Sequence, residues 1–198
     1  TTANAASALN RAQSAQEFLD ATADFVSPQQ NMVYADVDGN IGYVAPGRIP
    51  VRGEGNLTRG FVPGLGWDAA YDWQGYLPFE ELPQGHNPAS GMVVTANENV
   101  LETNLPDYPH FITSEWSAPY RGNRIWSLLG QTDQHTLATN AAIQTDTKST
   151  FAEDILPRLI DATDETAVDA QILTELDLWD GFDTHVDGWE MTMFLTWI

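Results

Sequence analysis

Apolar residues recur along this chain with two periods, and the switches between them divide it into segments. Across residues 5–25, Ala5, Ala8, Leu9, Ala12, Ala15, Phe18 and Leu19 fall at helical spacing, which predicts an amphipathic helix ended by Pro28. Over 31–46 the period drops to two. Val33 and Ala35, then Ile41, Tyr43 and Ala45, alternate with more polar neighbours, and Asp38-Gly39 between them supplies the turn of a β-hairpin. Residues 46–90 are rich in Gly, Pro and Trp with little periodicity. So long an irregular connection is expected to be functional or held by a larger body. Met92-Val93-Val94-Thr95-Ala96 predicts a short strand within 91–97.

Helical spacing then returns. Helices are expected over Tyr120–Leu129, over Leu137–Gln144 with Thr136 as a cap, and over Ser149–Ile160, opened by Ser149 and interrupted or bent near Pro157. A further helix is expected over Thr166–Trp179, with Ala167, Ala170, Ile172, Leu173 and Leu176 as its apolar stripe. The tail, Trp189–Ile198, is strongly apolar and should either lead into more chain or pack inside a larger assembly. Short strands followed by several helices make an α+β chain. Its 198 residues suit one domain or two small ones.

Charge changes this picture. The chain has 28 acidic residues against 8 basic ones, a formal net charge of −20, and Lys148 is its one lysine. Such a surface repels phosphate backbones and anionic lipid, so neither nucleic acid nor a membrane is an expected partner. The near absence of lysine, with arginine retained, favours adaptation to high salt, where ions screen carboxylate repulsion. No apolar run approaches the roughly 18 residues that span a bilayer. Thr1-Thr2-Ala3-Asn4 has neither the basic nor the apolar region of a signal peptide, so the leader of an exported protein would lie upstream. The absence of cysteine removes disulfides and thiolate metal sites.

Several candidate sites yield to simpler readings. Asp36-Val37-Asp38-Gly39-Asn40 looks like the start of a calcium loop, but an EF-hand needs glycine at the sixth position and glutamate at the twelfth, where this chain has Ile41 and Gly47. His86, His110, His135 and His185 are scattered, without metal-ligand spacing or a Ser-His-Asp arrangement. Trp67 and the Trp73-Gln74-Gly75 element either line an apolar acyl pocket or pack the long loop. Asn56-Leu57-Thr58 is a glycosylation sequon by pattern alone.

A set of spaced signatures between residues 30 and 99 carries more information. In order they are Gln30-Asn31-Met32-Val33-Tyr34-Ala35-Asp36, Asp38-Gly39-Asn40-Ile41-Gly42-Tyr43, Gly47-Arg48-Ile49-Pro50-Val51-Arg52, Trp73-Gln74-Gly75-Tyr76-Leu77-Pro78-Phe79, Asn87-Pro88-Ala89-Ser90-Gly91 and Thr95-Ala96-Asn97-Glu98-Asn99. Together they resemble the penicillin acylase (penicillin amidase) family of N-terminal nucleophile hydrolases. The resemblance is strongest over 31–99, and a helical region follows over 120–180. It implies that residues 1–198 are a partial domain of the catalytic β-chain, part of a four-layer αββα fold. It also implies an amidohydrolase that cleaves an acyl–amine bond through an acyl-enzyme, acting on penicillin-type amides or acyl-homoserine lactones. The partners it implies are a small-molecule amide and the remaining acylase segments, in an exported or cell-envelope enzyme.

The resemblance also distributes roles. A strand ending in Ala-Asn-x-Asn places its second asparagine, here Asn99, as a donor to the tetrahedral oxyanion. Removing such a donor raises the barrier by about 2.7–4 kcal/mol. An arginine about two dozen residues on, in an Arg-x-x-Arg-Ile element, supports the active site. Arg121-Gly122-Asn123-Arg124-Ile125 fits, with Arg124 as that residue. No cofactor is implied. Some members bind a structural calcium with a ligand near Asp107 to Glu115, but the local spacing departs from the pattern, and no metal residue follows. The nucleophile is usually a serine on a buried strand, whereas Thr1 leads straight into a predicted helix, so the nucleophile is expected outside these residues. A non-catalytic binding or scaffold protein derived from an acylase is the alternative.

Overall fold

A computed structural model describes residues 1–163, 169–185 and 187–198. They divide into two units, Thr1–Ala118 and Pro119–Ile198.

The first unit opens with two helices where the periodicity predicts one. They are α1 (Thr2–Leu9) and α2 (Ala15–Thr22). Ser14 makes the break: it is extended, its side chain accepts from Glu17 N, and the Glu17 carboxylate accepts from Gln13 N at 2.8 Å. This reciprocal capping starts a new helix and outweighs the continuous apolar stripe. Thr1 caps α1, its side chain accepting from Asn4 N.

The hairpin forms as the alternation predicts, β1 (Met32–Ala35) pairing antiparallel with β2 (Ile41–Val44). Asp36 builds its turn. Its carboxylate accepts from Asp38 N, Asn40 N and Asn40 Nδ2, and Gly39 supplies the left-handed residue. The acidic run is therefore a turn and no calcium loop. β2 carries the buried core residues Tyr43 and Val44. Burial pushes the Tyr43 phenol up to about 12.

The stretch 46–90 is more ordered than its composition predicts. β3 (Pro50–Arg52) pairs with β4 (Trp73–Tyr76), and β5 (Gln84–His86) adds to the free edge of β2, giving the order β1-β2-β5. These strands are three or four residues long, β4 and β5 carry Gly and Gln, and no alternation announces them. Conversely, 91–97 is not a strand. Burial alternates there as in a strand, but no ladder partner lies beside it among the described residues.

The second unit is helical: α4 (Tyr120–Leu129), α5 (Leu137–Gln144), α6 (Thr150–Ala162), α7 (Ala170–Asp177) and α8 (Glu190–Trp197) follow the short α3 (Val100–Asn104) of the first unit. Thr136 and Ser149 are caps as expected, Thr136 in a reciprocal capping box with Thr139. α6 runs through Pro157. The expected start of the next helix, including Ala167, lies outside the described residues, and α7 is its later part. The apolar tail folds back as α8. Its Phe194 is fully buried beside Ala152, Leu156, Leu176 and Trp179, a burial that contributes about 1.5–3 kcal/mol. Leu195 and Ile198 stay exposed.

Candidate functional site

The segment 94–100 sorts its side chains by parity. Val94, Ala96, Glu98 and Val100 are all at most 7% exposed, whereas Asn97 is exposed and Asn99 half-buried. An extended backbone turns successive side chains to opposite faces, so the asparagines face away from the core. Asn97 leaves the extended region, with φ +68°, and its carbonyl accepts from Ser117 N at 2.9 Å.

Asn99 is the N-cap of α3. Its Oδ1 accepts from Leu101 N at 3.3 Å, and its Nδ2 donates to Glu102 Oε1 at 2.8 Å. The cap bond fixes which end of the amide is which. An Asn amide carries two N–H donors, so one remains for a further acceptor.

Glu98 lies between the two asparagines and is 3% exposed. Its Oε2 accepts from Ala96 N at 2.7 Å, and Oε1 is buried with no hydrogen-bond partner among the described residues. In the sequence it is a single charge set in the apolar parity Val94, Ala96, Val100.

Arg124 sits on α4 in the second unit. Its Nε and Nη2 donate to the two carboxylate oxygens of Asp146 at 2.9 and 2.5 Å, and both side chains are at most a quarter exposed. The hydrogen bonds to Asp146 raise the Arg124 pKa further, and those from Arg124 hold the Asp146 carboxyl below its ordinary range. The pair lines a cavity of about 440 Å³ whose apolar wall is Ile125, Leu128, Ile143 and Phe151. Asn99 belongs to the first unit and Arg124 to the second.

The remaining candidates have structural roles. Among the described residues no group of three or more His, Asp or Glu gathers as a metal site, and Asp107 and Glu115 are exposed. The histidines pair locally, His86 with Tyr34 at 2.8 Å and His110 with Glu81 at 3.0 Å. Trp67 and Trp73 are both exposed, Trp73 at the start of β4 and Trp67 in the loop before it. The sequon fails as well: Asn56 is buried and accepts from Arg59 N and Thr58 Oγ1. No helix among the described residues is long and apolar enough to cross a membrane.

The sequence profile of the penicillin amidase family matches residues 1–198. The chain belongs to the penicillin amidase family. It is 37% identical over 144 residues to the acyl-homoserine lactone acylase QuiP of Pseudomonas fluorescens, covering 73% of this chain and 17% of that protein. It is 32% identical over 171 residues to the penicillin acylase 2 proenzyme of a Pseudomonas species, covering 86% of this chain and 21% of that protein. The thermostable penicillin G acylase from Alcaligenes faecalis superposes with a TM-score of 0.66 at 27% identity, over 96% of this chain and 34% of that one. The expected α+β architecture of a penicillin amidase stands. The chain spans about a fifth of the length of these curated relatives.

Proposed function

We propose that this penicillin amidase segment is part of an amidohydrolase that cleaves the amide between an acyl group and an amine, through an acyl-enzyme whose nucleophile lies outside these residues. The observation that carries this is the anchored amide of Asn99. With Oδ1 tied to Leu101 N, Nδ2 presents a donor whose orientation is set before substrate arrives. Preorganised donors of this kind stabilise the charge that develops on the carbonyl oxygen during attack. The substrate is a small amide of the penicillin or acyl-homoserine lactone type, matching the relatives' names.

Arg124 is the supporting cation in this reading. Asp146 holds one edge of its guanidinium fork, which locks the side chain and keeps the other edge available. Residues 1–198 form a partial β-chain domain that works with the remaining acylase segments. Nucleic acid and membrane have no part in it, given the charge of −20. The acidic excess is an adaptation to high salt.

The test is turnover by the full-length gene product on phenylacetyl amides and acyl-homoserine lactones, with and without Asn99→Ala. Loss of turnover through kcat supports the reading. An open reading frame that starts just before Thr1, with a product inert on every amide, would replace it with the scaffold alternative.

A further inference from the structure

We infer that Glu98 is a positioning residue for Asn99, holding the backbone turn that aims the asparagine amide. This rests on the proposed role of Asn99, and the test below separates the two.

Three observations converge. Glu98 is 3% exposed in a segment whose other inward residues, Val94, Ala96 and Val100, are all apolar. A carboxylate is costly there unless its hydrogen bonds repay desolvation. Its Oε2 reaches back two residues, accepting from Ala96 N at 2.7 Å. That link closes a ring around Asn97, the residue that adopts φ +68°. Asparagine tolerates left-handed backbone better than most L-residues, but the surroundings still have to select that conformation over the extended one. The Glu98 bridge supplies that constraint from the core side, and the bond from Ser117 N to the Asn97 carbonyl supplies it from outside.

The consequence falls on Asn99. The turn at Asn97 sets the direction in which the chain enters α3, and Asn99 caps that helix. A change in the Asn97 dihedral angles would swing the Asn99 Cα and displace its Nδ2. Misplacing a catalytic donor by about 1 Å can cost on the order of a hundredfold in rate. Glu98 thus acts on the reaction from behind Asn99, without touching substrate.

A double-mutant cycle in the full-length enzyme tests this. Glu98→Leu puts an apolar side chain of similar size in that buried place and removes the acceptor for Ala96 N. It should lower kcat by about 10- to 100-fold with KM nearly unchanged. Glu98→Gln keeps an acceptor while removing the charge, and should restore kcat to within about threefold of the parent. In an Asn99→Ala background, Glu98→Leu should have little further effect, because the group it positions is gone. Equal losses from Glu98→Leu in both backgrounds would overturn the inference while leaving Asn99 its role. So would a Glu98→Gln variant as impaired as Glu98→Leu, or a loss confined to KM. An Asn99→Ala variant that keeps the parental kcat would instead remove the parent reading, and this one with it.

Discussion

Arg124 and Asp146 stand 22 residues apart in sequence and meet through two hydrogen bonds, from Nε at 2.9 Å and from Nη2 at 2.5 Å. The bond joins α4 to the turn after α5, so it fixes the guanidinium and ties two elements of the second unit. Asp146→Asn should destabilise the protein by about 1.5–3 kcal/mol near neutral pH, the range for hydrogen bonds to charged groups. The melting temperature checks this.

The same pair has a pH signature. Arg124 hydrogen bonds lower the Asp146 pKa in the folded state from its ordinary 3.8. The unfolded chain therefore takes up the proton first. The stabilisation is fully present above that ordinary value and disappears as pH falls through the lower, folded one. The melting-temperature gap between the parent and Asp146→Asn should be constant above about pH 5 and close at more acidic values. A gap independent of pH down to the acid transition would contradict this.

Asn99→Ala in the full-length enzyme should lower kcat by about 10²–10³ with little change in KM. Loss of the α3 cap adds roughly 1 kcal/mol of destabilisation, which leaves the fold intact. The control needs care, since Asn97 has φ +68° and alanine there would be strained. Asn97→Gly tolerates that backbone and should leave kcat far less affected. If Asn97→Gly is the inactive variant and Asn99→Ala turns over normally, the register of the motif is wrong by two residues.

The 198-residue chain by itself should show no amidase activity on phenylacetyl, glutaryl or acyl-homoserine lactone substrates. Thr1 is occupied as the cap of α1, its side chain accepting from Asn4 N. Activity in purified material that disappears with Thr1→Ala would make Thr1 the nucleophile.

Salt should stabilise the fold. At a formal charge of −20, carboxylates repel one another across the surface. The Debye length falls from about 10 Å at 0.1 M to about 3 Å at 1 M. The melting temperature should rise substantially from about 0.1 M to molar KCl. A flat response would remove the high-salt reading.

Local chemistry made much of this protein legible in one dimension. The Asp38-Gly39 turn between alternating runs, the caps Thr136 and Ser149, and the stripes of α4 to α6 each depend on neighbours within a few residues. The spaced signatures from Gln30 to Asn99 were enough to indicate the family. Other features depended on the folded arrangement. β5 exists because Gln84–His86 meets the edge of β2, a pairing across some forty residues that no local periodicity encodes. The run 91–97 meets no such strand edge among the described residues, despite its strand-like residues. Asn99 and Arg124 are candidates on sequence alone. Only tertiary structure decided that Leu101 orients the one and Asp146 holds the other, and that the unremarked Glu98 lies buried against Ala96 N. The reason is physical: periodicity reports which face of an element is apolar, whereas a hydrogen bond depends on where two atoms stand once the chain has folded.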